Sequence, residues 1–334
     1  MHPTAPAEWS PHSAMWLGFP SHGDLWQDDL GLAQAEVAAL ARALAGPGAE
    51  RVRLLVHGDE AEAAARALLA GAAGVEIVRG QFGDIWLRDT GPVFLKQAER
   101  TIASAFRFNG WGGKYELEFD DTVADQLAAA AGVPKVQHDF ILEGGAIDGD
   151  GFGTILTTRQ CVLNPNRNSG WDEGAAEAAL AAGVGATKVL WLGDGLLNDH
   201  TDGHVDNLAR FVAPGVAACP IATGGDDPNA QVYEETARLL AGFRDARGVG
   251  LQVVRLPSPG RVTDADGRVV PASHMNFIIA NEAVIAPTYG DAGRDEMLDA
   301  LQSLFPERQV IGLTSKALLS GGGSFHCITQ QEPA

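Results

Sequence analysis

The chain has 334 residues, 46% hydrophobic and 20% charged, a globular balance that excludes intrinsic disorder and leaves room for a sizeable core. Its 24 Lys plus Arg stand against 43 Asp plus Glu, a formal charge of −19; this argues against binding to nucleic acid or anionic lipid and favours small cations. Three cysteines, Cys161, Cys219 and Cys327, are too few for a disulfide framework, and no apolar run approaches the ~18 residues of a membrane span.

Helical and strand patterns alternate along the chain. Apolar residues at helical spacing predict helices over Leu32–Leu44, Glu60–Leu69, Asp121–Ala131, Glu173–Ala182, Gln231–Leu240 and Asp295–Phe305. Short β-branched or alternating runs predict strands at Val52–Val56, Val75–Val78, Ile85–Leu95, Thr154–Thr158, Val189–Leu192, Val205–Val212, Val253–Leu256, Phe277–Ile285 and Phe325–Thr329. No stretch reads as a linker, and the length fits either two domains of ordinary size or one large repetitive domain. Dividing 334 residues by five gives roughly 67 per unit, enough for one helix and about three strands. That arithmetic fits a propeller-like α/β body. The rival, a doubly wound Rossmann sheet, lacks its G-x-G-x-x-G turn here. Met1–Pro11 has neither a basic nor an apolar leader region, so a reducing, cytoplasmic setting is expected.

Four segments carry more chemistry than stability asks for. The first is Asp84-Ile85-Trp86-Leu87-Arg88-Asp89-Thr90-Gly91-Pro92; in a strand Trp86 and Arg88 share one face, unless the turn residues at its end bend it at Asp89. In the second, Leu142-Glu143-Gly144-Gly145, two glycines after a carboxylate permit a close backbone approach. In the third, His200, Asp202, His204 and Asp206 fall at period two; as a strand it places His204 and Asp206 on one face, as a metal-ligand pair or as a base beside a charge clamp. The fourth is Gly321-Gly322-Gly323-Ser324-Phe325-His326-Cys327, a glycine-rich entry to a cysteine. His326 is not its obvious base, because neighbours in a strand point apart. Cys161 and Cys219 have the apolar neighbours of buried structural thiols. A thiol, a histidine and several carboxylates together suggest thiol catalysis on a planar cation, since a guanidinium offers five N–H donors in a fork.

These blocks resemble those of agmatine deiminases, within the wider guanidine-modifying deiminase superfamily. Asp84 to Pro92 is similar to their D-x-W-x-R-D-[ST]-G-P motif, and Phe108-Asn109-Gly110-Trp111-Gly112-Gly113 to their F-N-x-W-G-G block. Pro6-Ala7-Glu8-Trp9, Leu142 to Gly145, Asp202 to Asp206 and Gly321 to Pro333 follow in matching order, so the resemblance covers essentially the whole chain.

The resemblance implies a single domain over 1–334, a five-bladed α/β propeller of ββαβ-type units, the pentein fold, around a central substrate channel. It implies hydrolysis of agmatine to N-carbamoylputrescine and ammonia on the way to putrescine, with no cofactor and no metal, and assembly as a homo-oligomer. It further implies Cys327 as nucleophile, His204 as acid and base, Asp89 and Asp206 as guanidinium acceptors, and Trp86 and Glu143 lining the substrate, with Glu143 a candidate partner for Arg88. One departure is His200, four residues before the histidine, where some relatives carry a glutamate. Free arginine or peptidyl-arginine as substrate, with Lys114 as a carboxylate partner, is the nearest rival. A metal hydrolase built on His200, Asp202, His204 and Asp206 is a remoter one.

Overall fold

The computed structural model describes residues 3–290 and 293–334. The first strand, β1 (His12–Gly18), leads through the helix Leu30–Ala45 to the parallel β2 (Val52–Val56); the helix Asp59–Leu68 then brings in β3 (Val75–Arg79). A common plan follows four times: an antiparallel hairpin, a helix, and a strand parallel to the second hairpin arm. The first of these comprises β4 (Val93–Gln97), β5 (Arg100–Arg107), the helix Val123–Ala131 and β6 (Lys135–Ile141). The next holds β7 (Ile147–Gly149), β8 (Thr154–Thr158), the helix Glu173–Val184 and β9 (Lys188–Leu192). Then come β10 (Arg210–Ala213), β11 (Val216–Ile221), the helix Ala230–Gly242 and β12 (Gln252–Pro257). The last has β13 (Ile278–Ile279), β14 (Ala283–Thr288), the helix Arg294–Leu304 and β15 (Gln309–Thr314).

The first sheet lacks an antiparallel arm of its own. The chain supplies it from the other end: β16 (Thr329–Pro333) pairs antiparallel with β1, giving the order β16-β1-β2-β3. Five sheets result among the described residues: four are ββαβ units, the first follows the same plan with an added helix and outer strand β3, and the two ends of the chain close the ring. This is the five-bladed α/β propeller. The middle strands β8 and β14 are buried along their whole length, while the outer β3 and β6 are largely uncovered. A middle strand has the axis on one face and the helix on the other, so it reads as a continuous apolar run rather than an alternating one.

The predicted helices are all present. Four strand expectations need correction. Ile85–Leu95 is not one strand: a helical turn, Leu87–Thr90, precedes β4, with Thr90 Oγ1 donating to the Trp86 carbonyl at 3.1 Å. Val205–Val212 begins with a 3-10 turn at Val205–Asn207, entered through Asp202 at φ 63°, and only then becomes β10. Phe277–Ile285 is a hairpin of two strands, and β16 begins at Thr329, beyond Cys327. Strands β1, β5, β6, β7, β11 and β15 are not among the predicted ones. In β5 and β6, Ala, Ser, Gln and Asp dilute the β-branched signal on which strand patterns depend.

Candidate active site

The functional candidates occupy equivalent places in different blades, each in the turn entering the first strand of its unit. Trp86 and Asp89 sit just before β4, Glu143 and Gly145 before β7, His204 and Asp206 before β10, Asn276 before β13, and Cys327 before β16. Pseudo-symmetry thus aims five turns at one axis. This explains why turns, rather than the predicted strands, hold these residues: a turn can direct a side chain along the axis where a pleated strand alternates.

The turns are tied to one another. The backbone N–H of Arg88 donates to the Cys327 carbonyl at 3.1 Å. Asp89 Oδ1 accepts from the Gly145 N–H at 2.9 Å, and Asp89 Oδ2 accepts from Trp111 Nε1 at 2.9 Å. A Cβ on Gly145 would stand 2.5 Å from His204 Nδ1, 2.9 Å from Asp89 Oδ1 and 3.2 Å from Asp206 Oδ2. Only a residue without a side chain lets these three groups meet. His204 Nδ1 is 3.8 Å from Asp89 Oδ1, and its Nε2 is buried without a hydrogen-bond partner. Cys327 Sγ lies 3.3 Å from Asn276 Nδ2 and 3.9 Å from Asp206 Oδ2. Asp206 Oδ1 is buried and unpartnered as well, an open acceptor.

The charges follow from these neighbours. Burial alone lowers the pKa of His204, but Asp89, then Cys161 and Glu143, raise it well above the ordinary range, which favours the charged ring. Burial raises Asp89, and the negative Asp206 and Glu143 add to that, against the pull of His204 and Trp111. Asp206 goes the other way: burial raises it, but the hydrogen bond and charge of His326 hold it below the usual carboxylate range. Burial, then Asp206 and Asp89, push the Cys327 thiol well up.

A cavity of about 1040 Å³ opens onto this cluster. Cys327, Asp89, Trp86 and Trp111 are among its lining residues, with Asp84 and Trp26 beside them. Asp84 accepts from Trp26 Nε1 at 3.0 Å and from Trp86 Nε1 at 2.6 Å, fixing two indole rings whose centroids are 6.2 Å apart. A flat cation or an alkyl chain packs well on such a wall.

Of the residues expected from the sequence, Cys327, His204, Asp89, Asp206 and Trp86 converge here. Glu143 is close to the His204 ring but does not hold Arg88: it pairs with Arg167 Nε at 2.6 Å. Arg88 instead donates to the His326 carbonyl at 3.3 Å and to Gln331 Oε1 at 2.8 Å. The quartet proposed as metal ligands is dispersed. Asp202 pairs with Arg167 and Lys114, each at 2.6 Å, and Asp206 with His326 at 2.8 Å. Among the described residues, those close enough to share an ion are a different set, Glu143, Cys161 and His204. The sequence reading missed Asn276 and Arg167, gave Trp111 no role, and set His326 aside. Asn276 had no local signal, since it precedes an ordinary apolar run.

A five-bladed α/β propeller with a thiol, an imidazole and two carboxylates gathered on its axis is the architecture of the guanidine-modifying deiminases, the pentein fold. The family model for Porphyromonas-type peptidyl-arginine deiminase matches residues 4–333, and the chain belongs to that family. The agmatine deiminase of Stutzerimonas stutzeri is 36% identical, over 98% of this chain and 95% of its own. The solved agmatine deiminase of Enterococcus faecalis superposes with a TM-score of 0.93 at 31% identity, covering 99% of this chain and 96% of that one. A cysteine-to-serine form of the C. jejuni agmatine deiminase, solved with substrate bound, gives 0.90 at 27% identity, covering 100% and 97%.

Proposed function

We propose that this chain, acting as one propeller unit, hydrolyses agmatine to N-carbamoylputrescine and ammonia through a covalent intermediate on Cys327. The observation that carries the reading is the placement of Cys327 Sγ 3.9 Å from Asp206 at a cavity that Asp89 also lines, in a chain aligned end to end with relatives of that name.

The guanidinium enters over Trp86 and gives its N–H groups to Asp89 and to the open Oδ1 of Asp206. Its charge lowers the Cys327 thiol, whose proton leaves to solvent. The thiolate forms a C–S bond to the central carbon. His204 in its charged form protonates the departing nitrogen, the C–N bond breaks, and ammonia leaves. The neutral His204 then takes a proton from water as its oxygen bonds to the same carbon. Collapse breaks the C–S bond, the hydroxyl proton passes to the leaving sulfur, and the urea is released with the Cys327 thiol and the charged His204 restored. None of these steps draws on a cofactor. The same reading includes assembly as a homo-oligomer and action in the cytoplasm; among the described residues no helix is long and apolar enough to cross a membrane.

The test is ammonia and product release from agmatine, arginine and peptidyl-arginine, with wild type beside Cys327→Ser. Ammonia from agmatine, lost in the variant, is expected. No release from agmatine, or release that survives Cys327→Ser, overturns the reading.

A further inference from the structure

A line of buried charges begins at Asp206 and runs away from the cavity. His326 Nδ1 is 2.8 Å from Asp206 Oδ2, and its Nε2 is 2.9 Å from Glu8 Oε2. The ring thus spans two carboxylates. Both contacts are satisfied together only when both nitrogens carry hydrogen, because an ionised carboxylate accepts and does not donate. Glu8 in turn pairs with Arg210, which donates to Asp148 Oδ2 at 2.5 Å and to the carbonyls of Met275 and Phe277 at 3.2 and 3.0 Å. The other oxygen of Glu8 accepts from the Ile279 N–H at 2.7 Å. All of these groups are buried: His326 is 2% exposed, Asp206 and Arg210 0%, Glu8 7%.

Glu8 belongs to no strand or helix. It lies in the N-terminal segment that crosses from blade to blade before β1. Thr4 bridges to Lys96, the Ala5 N–H donates to the Val184 carbonyl at 3.1 Å, and Ala7 packs against Gly151. Glu8 is therefore anchored independently of the turn that carries Asp206. Propeller closure requires none of these buried charges, since β1 and β16 pair through their backbones. A row of ions taken out of water is costly unless each is paired, and an apolar row of the same shape packs at least as well. The arrangement does have a consequence for the site. It occupies Oδ2 of Asp206, fixes the plane of the carboxylate, and leaves Oδ1 as the free acceptor.

We propose that Glu8, acting through His326, is a positioning residue for the deimination reaction: together they fix the carboxylate of Asp206, ionised and oriented, for the substrate guanidinium. This rests on the reaction assigned above. The groups facing Asp206 and His326 are Asp89, His204 and Cys327 on the cavity side, with Arg88, Arg210 and Asp148 behind. Glu8→Gln leaves all of these in place. It removes one negative charge and sets an amide N–H₂ against one of the donors that Glu8 accepts from, so the clasp of Glu8 on His326 loosens. The hydrogen bond from His326 that holds Asp206 low weakens with it, and the Asp206 carboxyl is protonated at higher pH than before.

The experiment measures kcat and KM for agmatine from pH 5 to 9 in wild type, Glu8→Gln, His326→Asn and His326→Leu, with folding checked by circular dichroism and thermal melting. The expected result for Glu8→Gln is a KM raised at least about tenfold with kcat less affected, and an acid limb of kcat/KM moved up by half a pH unit or more. His326→Asn keeps a donor toward Asp206 and should retain more activity than His326→Leu, which has none. A merely structural role would lower the melting temperature and leave the pH limb where it is. A folded Glu8→Gln with wild-type KM and pH profile overturns the proposal. Should Glu8→Gln not fold, His326→Asn carries the same test, because it leaves the Glu8–Arg210 pair intact. A wild type that releases no ammonia from agmatine would defeat the assigned reaction instead, so the two failures are distinct.

Discussion

Cys327 Sγ lies 3.9 Å from Asp206 Oδ2, so the candidate nucleophile faces a negative charge that opposes its own ionisation. Burial and the charges of Asp206 and Asp89 keep it a thiol at rest, and a seated cation reverses that local field. Neutral iodoacetamide should therefore alkylate Cys327 slowly at pH 7, with a rate that climbs steeply as pH rises. A cationic haloacetamidine of similar size should react at least about tenfold faster at pH 7, the two carboxylates drawing it in. Peptide mass spectrometry checks both the rate and the place. Equal rates for the two reagents, or label on Cys161 or Cys219, would contradict this account. Burial raises both of those thiols too, Cys219 to about 11.

Agmatine should exceed arginine in kcat/KM by at least about a hundredfold, roughly 2.7 kcal/mol. Lys114, the candidate partner for a substrate carboxylate, is already committed: it pairs with Asp202 at 2.6 Å and donates to the His200 carbonyl at 2.6 Å. A carboxylate in a cavity lined by Asp84 and Asp89 is left without a dedicated cation, at a cost of several kcal/mol. Arg268 also lines the cavity, on an exposed turn. Lys114→Ala should leave the ratio within about threefold of wild type. An arginine preference that vanishes in Arg268→Ala would reassign the substrate.

Burial raises Asp84 to about 6 and Asp120 to about 7. Asp120 Oδ1 accepts from the Gly83 and Asp84 N–H groups at 2.8 and 3.2 Å, while its Oδ2 is buried without a partner. Both carboxyls bind their protons more tightly folded than unfolded. Their contribution to stability is fully present below the unfolded value near 4 and is lost as pH rises through about 6 and about 7. Asp120→Asn keeps the Oδ1 acceptor and cannot ionise. Its stability relative to wild type should therefore improve from pH 5 to pH 8 by at least about 1 kcal/mol. Urea melts at the two pH values measure this, and a difference that does not change with pH would show that Asp120 is ionised at both.

Gly323→Ala should fold and lose activity. The new Cβ would stand 2.5 Å from Trp86 Cζ3 and 3.2 Å from Cys327 Cβ, so either the indole or the turn holding the thiol must shift. A displacement of about 1 Å at a reacting group costs on the order of a hundredfold in rate. Thermal melting near the wild-type value, with kcat/KM down at least tenfold, is the expected pair of results. Unchanged kcat/KM would mean that neither neighbour is part of the substrate wall.

Much of this protein is legible in its sequence, because the relevant physics is local. Helix periodicity located all six predicted helices, from the Ala-rich Leu30–Ala45 to Arg294–Leu304, since an amphipathic or small-residue stripe repeats within one turn. The motif order singled out Cys327, His204, Asp89, Asp206 and Trp86 as candidates before any of them had a position in space, and the fold brings these five together. What the sequence misplaced was their backbone. It read Ile85–Leu95 and Val205–Val212 as strands, because short apolar runs carry the same alternation whether they continue as a strand or close into a turn.

Only the tertiary structure decided which charges meet. Glu143 went to Arg167 and not to Arg88, and His326, set aside as facing away from Cys327, turned out to clasp Asp206 and Glu8. Glu8 and His326 are 318 positions apart, and Asn276 reaches Cys327 across 51. Such pairs exist because β16 returns to β1 and closes the ring, bringing turns from every blade to one axis. Burial at that axis then sets the charge states, raising Asp89 and Cys327 while His326 holds Asp206 down. A linear pattern fixes residue types and local periodicity; the desolvation and Coulomb interactions that make those residues an active site depend on distances that exist only once the propeller has closed.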